Sequence, residues 1–269
     1  MASSGNLLGQ ALEYAPEPGS SFDFRTANTL TVSQRVLGRE NHYTLGSEGV
    51  VRLTLLSAGA RLQWRLGFEE IELRIEGAFP TPRTDALKGT VVTVTTTPRG
   101  VVLDALASGV VPPGVGAQYV ERAAAAFFPR LPAIPDSDPE NPGAVSDRTT
   151  WGDTLTVTEV LQGVTTEVET ILTYTIADTS ALAGRSVVPV DYEGQILLTG
   201  AGTIGGSRVV LRGGGRVAGN YLYDPEDRIF DLHEQEQVVE STLTLEGPDT
   251  ERVEIPSRQV LRARAERLF

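Results

Sequence analysis

Cysteine is absent from the 269 residues, which removes thiol nucleophiles, disulfides, zinc–thiolate centres and iron–sulfur clusters from consideration. Lysine is nearly absent. Lys88 is the only one, so Schiff-base chemistry has a single candidate and the basic charge is otherwise arginine. Two histidines, His42 and His233, are the only side chains that ordinarily titrate near neutrality. No apolar run reaches the roughly 18 to 20 residues of a membrane helix, so no transmembrane span is predicted. Basic residues are outnumbered 23 to 35, and the net charge of −12 excludes a general role on nucleic acid, which needs a basic footprint. Met1-Ala-Ser-Ser-Gly lacks a basic n-region and an apolar h-region. The expectation is either a cytoplasmic chain or one whose targeting segment lies outside this sequence.

What the chain has is period-two alternation. From Phe22 one parity reads Phe22, Phe24, Thr26, Asn28, Leu30, Val32, Gln34, Val36, and the other carries Asp23, Arg25, Thr29, Ser33 and Arg35. Val164, Thr166, Val168, Thr170, Leu172, Tyr174 and Ile176 repeat the pattern in the second half. Further strands are predicted at about 43–57, 61–76, 87–97, 101–106, 151–161, 187–199, 207–217, 228–245 and 251–265, separated by short turns such as Leu37-Gly38, Ala58-Gly59 and Gln162-Gly163. Short links imply antiparallel neighbours. Across Glu69-Glu70 the apolar parity switches from Leu66 and Phe68 to Ile71 and Leu73, which predicts a β-bulge. At the C-terminus, Leu261, Ala263 and Ala265 alternate with Arg262, Arg264 and Glu266, favouring a closing strand over a helix.

One helix is predicted near 117–128, from i, i+4 pairs of Tyr119, Ala123, Phe127 and of Val120, Ala124, Phe128, with Pro129 as the stop. The expected fold is mainly β: a large curved antiparallel sheet or half-barrel of ten or more strands with that one central helix. Residues 1–13 read as an N-terminal extension and 14–267 as a single β domain. Its two meander halves, 14–112 and 150–267, are joined by the helix and a Pro-rich connector over 113–149.

Chemistry is sparse. Gly200-Ala-Gly202-Thr-Ile-Gly205 fits a dinucleotide fingerprint and follows a strand, but Gly213-Gly214-Gly215 would break the helix that pyrophosphate needs. A glycine-rich hairpin is the better reading, with the second glycine run marking a bend or a close backbone approach. Asp231 and His233 share a parity, as a dyad would require, but the neighbouring Gln235 and Gln237 make that a polar face, on which His233 reads as a solvated strand histidine. Asp136, Asp138 and Glu140 place oxygen ligands at alternate positions, as a calcium site would, yet the prolines break an EF-hand loop. Glu69, Glu70, Glu72 and Glu76 read as a charged outer face more simply than as a glycosidase pair. No G-x-S-x-G elbow occurs. No catalytic residue, metal site or cofactor is predicted. Arg208, Arg212 and Arg216 are expected to pair with Glu234, Glu236 and Glu240 across a ladder. Five arginines and three glutamates give the last nineteen residues a charge of +2, making Arg258, Arg262 and Arg264 candidate contacts for an anionic partner.

Tyr14 with Pro18-Gly19 before a Phe-x-Phe strand, Phe127-Phe128-Pro129-Arg130-Leu131-Pro132 at the centre, and Trp151-Gly152-Asp153-Thr154 resemble segments of uncharacterised bacterial envelope lipoproteins of LolA- and LppX-like half-barrel architecture. The resemblance covers 14 to about 267. It implies a curved sheet around a helix or apolar cavity, lipid handling or a structural role, and a periplasmic or extracytoplasmic location. The chain departs from that pattern in showing neither a signal peptide nor a lipobox cysteine. The sequence reading is therefore a non-catalytic accessory or scaffold subunit of a membrane-bound or envelope assembly. The alternative is a carrier for a lipid or other hydrophobic ligand, and an unidentified hydrolase stands third. Trp64, Phe68, Phe127 and Phe128 are the candidate lining for a ligand or partner, and the expected partner is a membrane-associated complex or a lipid.

Overall fold

The computed structural model describes residues 12–77, 88–108, 124, 127–132, 150–161, 163–176, 180–182, 184–247 and 252–269. Twelve strands are present: β1 Ser21–Val36, β2 Arg39–Ser57, β3 Leu62–Glu76, β4 Val91–Thr96, β5 Val102–Ser108, β6 Thr150–Leu161, β7 Val164–Ile176, β8 Ser180–Leu182, β9 Arg185–Ile204, β10 Ser207–Asp224, β11 Ile229–Glu246 and β12 Val253–Leu268. They form one antiparallel sheet in the order β5-β4-β3-β2-β1-β12-β11-β10-β9-β7-β6, with the short β8 paired to β9. The first long strand therefore pairs with the last, Asp23 opposite Leu268 and Gln34 opposite Ser257. The sheet edges β5 and β6 flank the middle of the sequence.

The architecture is mainly β, as the alternation requires, and the C-terminal segment is a strand. The single central helix predicted over 117–128 falls almost wholly outside the described residues, and no helical element is present among those that are described. Of 117–128 only Ala124, Phe127 and Phe128 lie within the described residues. Phe127 closes a tight turn onto the Ala124 carbonyl at 3.2 Å.

The predicted bulge is found. Val51 pairs with Phe68 and Val50 with Glu70, leaving Glu69 as the extra residue. Phe68 and Ile71 thereby stay on the same inner face although their sequence parities differ.

Glycines set the curvature. Gly194, Gly202, Gly213, Gly215 and Gly219 share the inner parity of β9 and β10, and each faces a larger residue on the paired strand: Val217, Val209, Leu198, Ile196 and Tyr192 respectively. A Cβ at Gly215 would fall 2.0 Å from the Val238 carbonyl oxygen, at Gly219 2.3 Å from that of Glu234, and at Gly194 2.1 Å from that of Ile171. Neighbouring backbone occupies the space where a side chain would start. Only glycine permits such tight coiling.

One end of the concave face is filled. Phe24, Phe127 and Phe230 pack edge-to-face and tilted with ring centroids 4.8 to 5.5 Å apart, and Tyr14, Trp64 and Phe128 pack beside them. The Tyr14 hydroxyl donates to the Pro129 carbonyl at 2.8 Å, and the Trp64 indole N–H donates to the Thr96 hydroxyl at 2.9 Å, so both buried polar tips are satisfied. The Leu131 amide donates to the Arg99 carbonyl at 2.9 Å. Residues 127–131 thus plug this end of the sheet.

Candidate apolar-ligand site

Beyond the plug the concave face opens into a cavity of about 470 Å³, walled by β1, β2, β3, β11 and β12. Its base is buried: Val51, Leu66, Phe68, Leu73, Phe127 and Ala265 are all under 9% exposed. Its wall continues through Leu30, Leu45, Ile71, Val239 and Leu261, which are only half-buried. These positions were legible as inward parity. That they bound an open space was not, because alternation is the same whether a face meets side chains or a void. Hollows on the outer face are larger, about 710 and 740 Å³, but are lined mainly by charged and hydroxyl side chains such as Asp191, Glu193, Glu236 and Arg262, or Arg35, Glu40, Arg212 and Arg258.

Uncharged polar groups interrupt the apolar wall. Asn28 and Ser47 stand opposite each other on β1 and β2, with Asn28 Nδ2 donating to Ser47 Oγ at 3.4 Å. Gln237 and Gln259 face the same space from β11 and β12. His233 lines it too. Its imidazole is 5% exposed, and burial pushes its pKa down to about 4, so it is neutral at pH 7. His233 Nε2 lies 2.9 Å from the Tyr192 hydroxyl, which donates to Gln235 Oε1 at 3.1 Å. A phenol has one proton to give, so Tyr192 accepts from His233 and the imidazole proton sits on Nε2. Burial also raises the Tyr192 hydroxyl pKa, holding it neutral. This relay has no carboxylate at either end.

The Asp231–His233 dyad does not form, and His233 is buried where the sequence favours a solvated strand histidine. Asp231 is the extra residue of a second bulge, where Leu222 pairs with Leu232 and Tyr223 with Phe230. Its carboxylate turns to Arg267, 3.1 Å away, inside a partly buried cluster with Arg185, Asp224 and Asp227. Desolvation raises the Asp231 pKa. Arg267 also lies over the Phe22 ring, 4.5 Å from its centroid. His42 is exposed, with Nδ1 2.9 Å from Ser33 Oγ.

The four aromatic candidates divide. Phe68 and Phe127 line the cavity, whereas Trp64 and Phe128 lie behind them in the aromatic plug, Trp64 fully buried. The expected ladder is corrected: Glu234, Glu236 and Glu240 pair with Arg264, Arg262 and Arg258 of β12 rather than with the β10 arginines. Arg208 instead faces Glu246. Arg258, Arg262 and Arg264 therefore lie on the outer face, each against a glutamate. The G-x-G-x-x-G segment runs along β9 into a tight turn, with positive φ at Gly205 and Gly206, and β10 follows it. Asp136, Asp138 and Glu140 fall outside the described residues.

No family model and no curated protein sequence matches the chain. Among solved structures it is similar to a lipovitellin structure concerned with lipid–protein interactions, at 14% identity and a TM-score of 0.47, covering 92% of this chain and 25% of that one. The chain thus spans about a quarter of the lipovitellin chain. It is also similar to neisserial surface protein A, at 7% identity and a TM-score of 0.24, covering 92% and 98% of the two chains. For Pseudomonas aeruginosa OccK5 the identity is 6% and the TM-score 0.29, covering 95% and 100%. No helix among the described residues is long and apolar enough to cross a membrane.

Proposed function

We propose that this chain is a non-catalytic binding protein that holds a lipid or other elongated apolar molecule in the concave face of its sheet. One observation carries the reading: a 470 Å³ cavity bounded by half-buried Leu30, Leu45, Val239 and Leu261. Its size falls within the roughly 300 to 1,000 Å³ of small-molecule sites. Apolar surface left against water costs about 25 cal/mol per Å², and an apolar ligand recovers it. The resemblance to half-barrel lipoproteins points the same way. The outer face, with its glutamate–arginine ladder, is suited to water.

The test is native mass spectrometry of the full chain purified without detergent, together with titration of the neutral dye Nile red. The expected results are a copurifying adduct of lipid mass and a saturable rise in dye fluorescence, both lost when Val239→Trp fills the cavity. A chain with no adduct and no dye response sinks the proposal.

A second reading, an accessory subunit of a membrane-associated assembly, draws support from edge strand β6. Its twelve residues have one free ladder side among the described residues, and Val160 is 70% exposed. Such an edge can accept a partner strand. A stoichiometric protein partner without lipid would favour this role.

A further inference from the structure

We infer that the groove selects an uncharged amphiphile, one whose polar group is a hydroxyl or an ester, over ionic amphiphiles with the same chain; this rests on the apolar-ligand reading above. The argument is the kind of polar group the cavity presents and where its charges lie. Thr26, Asn28, Ser47, Gln237 and Gln259 supply hydroxyl and amide groups within an otherwise aliphatic wall. Among the described residues, Gln237 and Gln259 have no side-chain hydrogen-bond partner, although each amide brings two donors and an acceptor. They can satisfy a hydroxyl or carbonyl without a counter-charge.

Among the described residues, ionic head groups meet no free complement. Arg264 borders the cavity through its backbone, and its guanidinium lies on the outer face, where it bonds Glu234 and Glu266. The imidazole of His233 is uncharged and engaged with Tyr192. Glu48 and Glu70, the two carboxylates among the described lining residues, lie on the outer parity of β2 and β3 and are exposed, and the chain's −12 overall disfavours an anion. For a cation they offer only water-screened attraction, which is weak. Desolvating an unpaired charge against the leucine wall is costly, whereas a neutral polar group is offset by one or two amide hydrogen bonds.

The experiment compares three probes with one chain: oleyl alcohol, oleyl sulfate and oleylamine, each titrated as a competitor of Nile red on the full chain at pH 7. Oleyl alcohol is expected to bind at least about tenfold more tightly than either ionic probe. Gln237→Leu with Gln259→Leu should erase that margin while the dye still binds. Gln259→Arg should bring oleyl sulfate level with the alcohol or past it. Equal or tighter binding of the sulfate or the amine by the unaltered chain overturns the selectivity and leaves the apolar-ligand reading standing. An unchanged preference in the double leucine variant likewise overturns the assignment to these amides. If neither the dye nor any probe binds, the apolar-ligand reading itself fails.

Discussion

Arg99 and Asp153, 54 positions apart, are joined Nη2 to Oδ2 at 2.8 Å. Arg99 lies in the turn leading to edge strand β5 and Asp153 on the opposite edge strand β6, so a single hydrogen bond spans the mouth between the two margins of the sheet. Arg130 of the plug reaches the same carboxylate at 2.9 Å, and Arg99 also donates to the Leu131 carbonyl. Asp153 therefore ties both edges and the plug together at the filled end.

Asp153→Asn should loosen this end. Its carboxylate is 15% exposed and faces Arg130, also 15% exposed, whose Nε and Nη1 have no hydrogen-bond partner. Losing the anion leaves two guanidinium groups uncompensated, and breaking a buried pair from one side is costly. A destabilisation of about 2 to 3 kcal/mol is expected, read from the urea midpoint at unchanged m-value. A loss under roughly 0.5 kcal/mol would show that water screens the cluster.

Acid should weaken the fold through His233. Burial holds its pKa at about 4 in the folded chain against 6.5 when free. Between those values the unfolded chain binds more protons, so this contribution is complete above pH 6.5 and is lost as pH falls toward 4. The swing is roughly 3 kcal/mol at about 1.4 kcal/mol per pH unit. Asp231, whose pKa is raised by desolvation, pulls the other way in acid, so the informative quantity is a difference. The stability of the parent chain minus that of His233→Gln should be flat from pH 7 to 8 and should fall steadily below 6.5. A flat difference down to pH 4 would mean the imidazole is solvated.

Much of the sheet was legible because burial on one face and water on the other write parity directly into the residues. The bulge at Glu69 was legible for the same reason, since Phe68 and Ile71 must both point inward and cannot without an extra residue. The bulge at Asp231 left no such trace. There the inserted residue is itself an inward-facing acid in an ion cluster, so the spacing to His233 looked like a dyad. Parity alone does not choose between the two possible arginine ladders, because β10 and β12 both flank β11 and both carry arginines of suitable parity. Only strand order, fixed by β1 pairing with β12, decides between them. Among the site residues, Phe68 and Phe127 could be named as large apolar groups, and Asn28 shares the inward parity of Phe24 and Leu30. Gln237 and Gln259 could not be named, because an amide in a polar run reads as solvent-facing whatever it meets.

Gly215 and Gly46 should respond oppositely to alanine. At Gly215 the new Cβ would lie 2.0 Å from the Val238 carbonyl oxygen, so β10 and β11 must separate. Overpacking of this kind costs about 1 to 3 kcal/mol, here at the upper end because rigid backbone must move. At Gly46 the nearest atom would be 3.8 Å away. Alanine there should be neutral or stabilise by about 0.5 kcal/mol, through the lower entropy of the unfolded chain. Thermal or urea unfolding of the two variants checks the contrast. Equal effects would dissociate these glycines from the curvature of the sheet.

Deleting Glu69 should be tolerated, and deleting Glu69 with Glu70 should not. Without Glu69 the order becomes Phe68, Glu70, Ile71, and strict alternation returns Ile71, Leu73 and Ile75 to the inner face opposite Gly49, Ser47 and Leu45. The local twist that the bulge supplies is lost, so the cavity narrows or widens while its wall stays apolar. Removing both glutamates makes Ile71 adjacent to Phe68, and every later inward residue of β3 turns outward, placing Glu72 and Arg74 in the ligand space. The single deletion should keep a cooperative β-type unfolding transition and Nile red binding within about tenfold of the parent. The double deletion should lose dye binding and expose an aliphatic row to water. If the double deletion still binds dye as the parent does, β3 does not wall the site, and the cavity bounded by Phe68, Ile71 and Leu73 is not where the ligand goes.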